Sequence, residues 1–197
     1  DKLVGRLDDR LGELGLLDDT LVIFLGDNGT SPQVTSRFQG TDFRGGKGST
    51  THRGTHVPLI VSWPAAVPGG RVNGDLIAAV DVLPTLCAAA GVDVGGAGDG
   101  IDGTSFLPQL QGRPGTPREW IYSWYGPRHH GDDTVRVYAF DTAHKLYRDG
   151  RLYDLAADPD ERTALPAAGR DAAAAAAAEK LQAAIDRFVG VRPEKRD

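Results

Sequence analysis

A continuous run of apolar, mostly branched residues at positions 20–25 ends next to two residues with oxygen-bearing side chains, Asp27 and Asn28. Runs without polar alternation are typical of strands that are buried on both faces of a parallel sheet. A second run of this kind covers residues 57–63. The two runs predict an α/β fold that contains part of a mostly parallel sheet flanked by helices.

Two helices are predicted in the first half of the chain. Apolar residues recur at helical spacing near the N-terminus and predict a helix over about residues 2–15. The same spacing after Asp81, a suitable N-cap, predicts a second helix that ends at Gly91. Residues 26–55 are rich in Gly, Ser, Thr and Arg and predict a long loop, and such loops within compact domains are usually functional.

The second half of the chain contains short aromatic or β-branched runs. Asp149-Gly150 separates two of them and is a strong hairpin signal. An alanine-rich helix follows, with Asp171 as its cap. We therefore predict a small C-terminal antiparallel sheet with a packed helix, and we divide the chain into an α/β part at residues 1–112 and an α+β subdomain at residues 113–197. The short runs cover residues 120–125, 134–140, 145–148 and 152–155.

Charge and composition narrow the possible partners. The 197 residues carry a formal net charge of -5 and no region rich in Lys and Arg, which argues against nucleic acid or a membrane as a partner. The single cysteine excludes an internal disulfide, and no apolar run reaches membrane-spanning length. Because the chain begins with Asp1 and contains no methionine, we expect a piece of a longer or processed protein, with any targeting segment upstream.

Two loop segments could carry chemistry. Ligands of open α/β sheets collect at the carboxyl ends of strands, and the oxygens of Asp27 and Asn28 suit Ca²⁺ or Mg²⁺ better than Zn²⁺. The alternative is that Asp-Asn-Gly is simply a turn. Lys47 is flanked by Gly45, Gly46 and Gly48 and could meet a sulfate or phosphate oxygen as a point charge. The alternative is an exposed lysine in a flexible loop.

The histidines and the cysteine give weaker signals. His52 and His56 lie four residues apart, but a nearby glycine and proline argue against the helix that a metal-binding pair would need. We interpret both as polar residues near the site, and His56 as a candidate for substrate binding. His129 and His130 are candidates for the rim of a substrate site. Cys87 falls on the apolar stripe of its predicted helix and is interpreted as a packing residue.

An ordered set of segments gives the chain a family resemblance. The segments are Thr20–Gly29, Phe43–Thr50, His56–Pro64, Asp81–Leu86 with Ala90–Val92, Asp102–Ser105, and Leu152–Leu155 with Asp158, Pro159 and Glu161. In this order and spacing, over about residues 1–165, the chain resembles the C-terminal half of a sulfatase of the arylsulfatase type, in the alkaline phosphatase superfamily. No single segment is decisive, whereas the ordered set is specific.

The resemblance implies a calcium-dependent hydrolase of sulfate esters, with Mg²⁺ as the less suitable metal. Asp27 and Asn28 would be two of the calcium ligands, and Lys47 would bind the sulfate and act near the leaving oxygen. The nucleophile of this family is a formylglycine made from the cysteine of a C-x-P-x-R motif. Because three alanines follow Cys87, the nucleophile is expected upstream, and this chain alone is expected to be inactive.

The resemblance also implies a substrate class and a compartment. The substrate would be a sulfated small molecule or glycan, and the protein would be periplasmic or secreted. Two alternatives stay open. A phosphoester hydrolase of the same superfamily would use Ser or Thr in place of formylglycine, and a truncated non-catalytic module would only bind an anion or a partner. The oligomeric state is not indicated by the sequence.

Overall fold

The chain forms two compact units, each built from two separate stretches of sequence. The first unit combines Asp1–Gly26 with Pro58–Arg118, and the second combines Asp27–Val57 with the chain from Glu119 onward. The predicted domain boundary between residues 112 and 113 stays a prediction. The structure is a computed structural model, and it describes residues 1–38, 40–94, 100–127 and 135–191.

Three of the described helices follow the predicted apolar spacing. The short helices at His52–Thr55 and Leu107–Leu110 were not predicted, and the first of them forms where Gly54 and Pro58 argued against a helix. The Asp171 carboxylate accepts a hydrogen bond from the backbone N–H of Ala174 at 2.8 Å, which confirms the predicted cap of the last helix. Gly91 has a φ of 70° and directly follows Ala90, the cap residue of the helix that ends at Ala89, as expected of a C-terminal glycine. Within the described residues, no helix is long and apolar enough to cross a membrane. The helices are α1 (Lys2–Glu13), α2 (His52–Thr55), α3 (Val82–Ala89), α4 (Leu107–Leu110) and α5 (Ala172–Asp186).

The strands form three separate sheets in the described part of the chain. Two are two-stranded, β1 with β4 and β2 with β3, and the third has four strands in the order β5-β6-β7-β8. The strands are β1 (Val22–Leu25), β2 (Thr35–Phe38), β3 (Thr41–Arg44), β4 (Leu59–Ser62), β5 (Ile121–Tyr125), β6 (Arg136–Phe140), β7 (His144–Tyr147) and β8 (Leu152–Asp154).

The prediction of a mostly parallel sheet is wrong, because every strand pairing in the described residues is antiparallel. β1 and β4 pair with Val22 opposite Ser62. An apolar run reports that both faces of a strand are apolar, but it does not report the direction of the neighbouring strand. Parallel neighbours need a crossover connection, usually a helix, and among the residues that the structure describes between β1 and β4 the only helix is the four-residue α2. Burial on both faces also fails, since Phe24 is 42% exposed and Ile60 is 62% exposed.

Asp81 ties together the helical part of the first unit. Its buried carboxylate accepts backbone N–H bonds from Ala78 at 2.8 Å and from Thr104 at 2.7 Å. It also accepts from Nε and Nη2 of Arg118, at 2.8 and 2.5 Å. Asp81 holds the predicted N-cap position of α3, although its side chain bonds outside that helix. These partners satisfy a charge that would otherwise be costly to bury.

The second unit contains a buried core between α5 and one face of the four-stranded sheet. Side chains alternate between the two faces of a strand, so the aliphatic residues of β6, β7 and β8 point towards α5. The opposite face carries Tyr138, Tyr147 and Tyr153 together with Lys145, and we refer to it as the tyrosine face. The core cluster under α5 consists of Val137, Ala139, Leu146, Leu152, Ala174, Leu181, Ala184 and Ile185.

Leu181→Ala tests this core. Leu181 is fully buried, so its truncation removes apolar burial and leaves a cavity that lowers the free energy of unfolding by about 2–5 kcal/mol. The measurement is urea unfolding of the chain followed by circular dichroism. The control is Val189→Ala, at a residue that is 71% exposed, where the change stays within about 0.5 kcal/mol. Equal effects of the two substitutions would contradict the described packing.

Candidate functional site

The predicted loop at residues 26–55 contains regular structure that the sequence pattern did not indicate. β2 and β3 form a hairpin in which Thr35 is opposite Arg44 and Phe38 is opposite Thr41. All eight strand residues are exposed, so they show none of the apolar alternation by which strands are usually found. The turn at Gly40, with a φ of 82°, is the one local signal of this hairpin.

Two backbone hydrogen bonds hold the residues that follow Asn28, one to Lys47 and one to Gly54. The N–H of Gly29 donates to the carbonyl of Gly54 at 2.9 Å, and the N–H of Lys47 donates to the carbonyl of Thr30 at 2.9 Å. All of these residues belong to the second unit. The structure therefore brings together the two segments that the sequence analysis selected separately, residues 27–30 and 45–48.

Glycines allow this close approach. A Cβ atom on Gly29 would overlap the carbonyl oxygen of Arg53, and one on Gly54 would overlap the carbonyl oxygen of Ser49. A Cβ atom on Gly45 would overlap the carbonyl oxygens of Thr30 and Ser31. Gly45 thus lets the loop that carries Lys47 pack tightly against the backbone of Thr30 and Ser31.

Asp27 and Asn28 present oxygen ligands at the protein surface. Both side chains are exposed, and the amide nitrogen of Asn28 donates to Oδ2 of Asp27 at 2.7 Å. That hydrogen bond leaves the amide oxygen of Asn28 and the second carboxylate oxygen of Asp27 able to accept a cation. One carboxylate and one amide oxygen fit a hard cation such as Ca²⁺, which takes six to eight oxygen ligands. No group of three His, Cys, Asp or Glu side chains in the described residues could hold a metal, so this pair is an incomplete ligand set.

Lys47 offers a positive charge on the loop whose backbone contacts the segment after Asn28. Its side chain is exposed, and no ion pair within the described ranges of the chain includes its ammonium group. The same holds for the carboxylate of Asp27, so neither charge is neutralised by the other. An unpaired ammonium on a backbone fixed by the hydrogen bond to Thr30 is suited to an anion.

His52 and His56 lie in and directly after α2, with their ring centroids 5.5 Å apart. Burial lowers the pKa of His52 below its ordinary value of 6.5, and the nearby His56 and Lys145 lower it further. Burial and cationic neighbours both disfavour the protonated imidazole. His56 is exposed and its predicted part in substrate binding stays a prediction. His129 and His130 lie outside the described residues.

Arg53 connects the site loops to Asp160, an acidic residue far away in the sequence. Its Nε and Nη2 donate to the two carboxylate oxygens of Asp160 at 2.5 and 3.1 Å. Its Nη1 donates to the carbonyl of Arg44 at 3.1 Å, and its guanidinium stacks 4.7 Å from the ring centroid of Phe43. The hydrogen bonds from Arg53 lower the pKa of Asp160. Neither residue was selected from the sequence, because the pair is separated by 107 positions.

A buried ion pair on the tyrosine face, between Lys145 and Glu161, is also connected to Thr50 in the loop after Lys47. The ammonium of Lys145 donates to Glu161 at 2.7 Å and also to the backbone carbonyl of Thr50. The hydroxyl of Tyr147 donates to Glu161 at 2.5 Å and lies 2.7 Å from the hydroxyl of Thr50. Burial, followed by the hydrogen bond to Glu161, raises the pKa of Tyr147. Glu161 belongs to one of the motifs of the sequence, but nothing in that motif indicates its contact with Lys145.

Two family profiles match the chain. The profile of the Sulfatase family matches residues 1–92. The profile described as N-sulphoglucosamine sulphohydrolase, C-terminal, matches residues 49–188, which is most of the chain. The chain therefore belongs to the sulfatase family, and the resemblance drawn from the ordered segments is confirmed.

Individual relatives are longer than this chain. Human (Homo sapiens) arylsulfatase A is 35% identical over 162 residues, which cover 81% of this chain and 31% of that protein. Steryl-sulfatase of Mus musculus is 38% identical over 115 residues, or 55% of this chain and 18% of that protein. The solved structure of BT4656 in complex with its substrate D-glucosamine-2-N,6-O-disulfate has a TM-score of 0.65 at 24% identity, over 94% of this chain and 37% of that chain. The chain thus corresponds to the C-terminal portion of much longer sulfatases.

Gly54→Ala tests the close packing of the site loops. The added methyl group would overlap the carbonyl of Ser49, so we expect the hydrogen bond from Gly29 to Gly54 to break and amide exchange over residues 27–57 to accelerate. The measurement is hydrogen exchange followed by mass spectrometry. The control is Gly74→Ala, where a Cβ atom meets nothing within 4 Å and exchange over the site loops stays unchanged. Unchanged exchange in Gly54→Ala would contradict the described loop contact.

A pH dependence follows from His52. Because its pKa is lower in the folded chain than the ordinary 6.5, the folded state binds fewer protons than the unfolded state just below that pH. The stabilisation from the neutral imidazole is complete above pH 6.5 and is lost as the pH falls through the folded-state pKa. The free energy of unfolding should therefore decrease below pH 6.5, and His52→Asn should flatten that decrease. If the free energy of unfolding of His52→Asn decreased just as steeply, the pH dependence would arise from other titratable groups.

Proposed function

We propose that this chain is the C-terminal portion of a calcium-dependent sulfuric ester hydrolase and supplies part of its active site. Asp27 and Asn28 serve as two calcium ligands, and Lys47 binds the sulfate group and supports departure of the leaving oxygen. The nucleophile, a formylglycine, belongs to residues outside these 197. Cys87 does not serve as its precursor, since three alanines follow it in place of the C-x-P-x-R pattern.

The observation that carries the proposal is the contact between the two selected loops. The hydrogen bonds from Gly29 to Gly54 and from Lys47 to Thr30 support it, because they join the backbone of the loop that carries an unpaired ammonium to the residues that directly follow Asp27 and Asn28. Charges of opposite sign that are not neutralised by each other can bind a cation and an anion side by side. Membership in the sulfatase family supports the assignment of the anion as sulfate.

The chemistry of the proposal is electrostatic. Calcium, when bound, would withdraw negative charge from the sulfate oxygens and hold the nucleophile near sulfur. The carboxylate of Asp27 and the amide oxygen of Asn28 contribute to holding the ion, and the backbone bonds to Gly54 and Thr30 keep both loops from moving apart. Lys47 donates from its ammonium to an oxygen that gains negative charge as the ester bond breaks, and such prearranged donors lower the barrier most when charge develops beside them.

The substrate is a sulfated small molecule or glycan in this proposal. The relatives differ in the substrates that their names give, a steroid in one and, for BT4656, a disulfated glucosamine. The common element is a sulfate group, which matches the part of the site that this chain supplies. The features that select among sulfate esters belong to surfaces beyond Asp27, Asn28 and Lys47.

The test uses the intact sulfatase that contains this chain. Lys47→Ala should lower kcat for p-nitrophenyl sulfate about 10²- to 10³-fold, the cost of removing one charge-stabilising donor, and should leave calcium binding in place. Asp27→Ala should reduce the increase in melting temperature that calcium produces. The readouts are initial rates and calcium-dependent thermal unfolding.

Matched controls are available on the exposed surface of α1. Lys2→Ala and Asp9→Ala remove the same charges from α1, which supplies none of the proposed site residues, and should change neither the rate nor the calcium response. Hydrolysis of p-nitrophenyl phosphate but not of the sulfate would favour the phosphoester hydrolase. An intact protein that hydrolyses neither ester and does not respond to calcium would favour the non-catalytic module and overturn the proposal.

A further inference from the structure

Asp160 and Glu161, two neighbouring acidic residues, both hold the segment that follows Lys47, the first directly and the second through Lys145. Asp160 accepts two hydrogen bonds from Arg53, and Glu161 pairs with Lys145, which in turn donates to the carbonyl of Thr50. Glu161 has a φ of 56°, the only positive value for a non-glycine residue among those that the structure describes. Non-glycine residues persist in that conformation when their surroundings hold them there.

Lys145 fixes the backbone carbonyl of Thr50, and Tyr147 fixes its side-chain hydroxyl. The side chains of Lys145 and Glu161 are only 2% and 4% exposed, so their charges depend on each other and on the groups around them. The ammonium also lies 4.1 Å from the ring centroid of Tyr138. Because the single phenolic proton of Tyr147 goes to Glu161, the hydroxyl of Thr50 is the donor in its 2.7 Å contact with Tyr147.

The backbone at Arg53 also contacts the turn formed by Asp27, Asn28 and Gly29. The backbone of Arg53 and Gly54 packs directly against Gly29, and Gly54 accepts the hydrogen bond from the N–H of Gly29. Gly46 also lies against Arg53, one residue before Lys47. A movement of Arg53 would therefore displace both the turn that follows Asn28 and the loop that carries Lys47.

We propose that Asp160 and Glu161 form a positioning clamp that holds the Lys47 loop and the Asp27-Asn28 turn in register for the reaction. This inference rests on the proposed sulfatase function and adds to it a role for two residues that would touch neither the sulfate nor the metal. Asp160 holds Arg53, and Glu161 holds Lys145 of the four-stranded sheet, which in turn holds Thr50. These contacts restrict the movement of the site loops. It acts on geometry, so its loss lowers turnover without removing a reacting group.

The test is Asp160→Asn in the intact sulfatase. Asp160 is preferable to Glu161 because its side chain is 24% exposed and its replacement leaves no deeply buried charge unpaired. We expect kcat for p-nitrophenyl sulfate to fall about 10- to 100-fold, as small misplacements of reacting groups do. KM and the melting temperature should change little, and hydrogen exchange in peptides that contain Gly29 and Lys47 should accelerate.

Two further variants separate positioning from general destabilisation. Asp160→Glu keeps the charge but moves the carboxylate by one methylene group, so a positioning role predicts a loss of kcat here too. Asp149→Asn removes a similar pair, with Arg151 at 2.8 Å, from the hairpin between β7 and β8 and should leave kcat and the exchange of the site loops unchanged.

The outcomes distinguish the clamp from the function on which it rests. Unchanged exchange at Gly29 and Lys47 in Asp160→Asn overturns the clamp, as does faster exchange with an unchanged kcat. A loss of the same size in Asp149→Asn also overturns it. If the unaltered enzyme hydrolyses no sulfate ester, the proposed function fails, while the exchange measurement still decides whether Asp160 holds the two loops.

Discussion

The buried contact between Lys145 and Glu161 is the interaction on which the second unit depends. Removing two charges from water is costly and is compensated only when geometry is good and the remaining donors find partners. Here the ammonium also reaches the carbonyl of Thr50 and the face of Tyr138. Removal of one partner from a buried pair of this kind typically costs about 3–5 kcal/mol. Since Thr50 supplies part of the environment of Lys145, the tyrosine face and the segment after Lys47 become ordered together.

The sequence predicted the elements of this fold better than their arrangement. The runs that became β1 and β4 were found from composition, and the cap at Asp171 from a single residue. The antiparallel pairing of β1 with β4 could not be predicted, because the apolar character of a strand does not indicate the direction of its neighbour. The β2–β3 hairpin was missed for the opposite reason, since all of its residues are exposed and leave no alternating pattern. Local patterns report the apolar or polar character of a segment, and pairing depends on contacts that are distant in the chain.

The candidate site shows the same division between residue type and placement. Asp27, Asn28 and Lys47 could be selected by chemistry and by the order of the motifs around them. Their approach could not be predicted from spacing, because it depends on Gly54 and on the pair between Arg53 and Asp160, 107 positions apart. The glycines near Lys47 suggested a flexible loop, yet Gly45, Gly46 and Gly54 are the positions where a Cβ atom would collide with backbone or with Arg53. A glycine-rich segment can thus be rigid when its glycines are used for close packing.

The partners of the charged residues separate the structural charges from the chemical ones. Arg53, Asp160, Lys145 and Glu161 are each matched by an opposite charge, and the last two are almost fully buried. Asp27 and Lys47 are exposed and have no ion pair among the residues that the structure describes, although their loops are in contact. The opposite charges of Asp27 and Lys47 would attract each other if the backbone of their loops were free to move. In the proposed function, the paired set holds the backbone in place, and the unpaired set is then available for a cation and an anion.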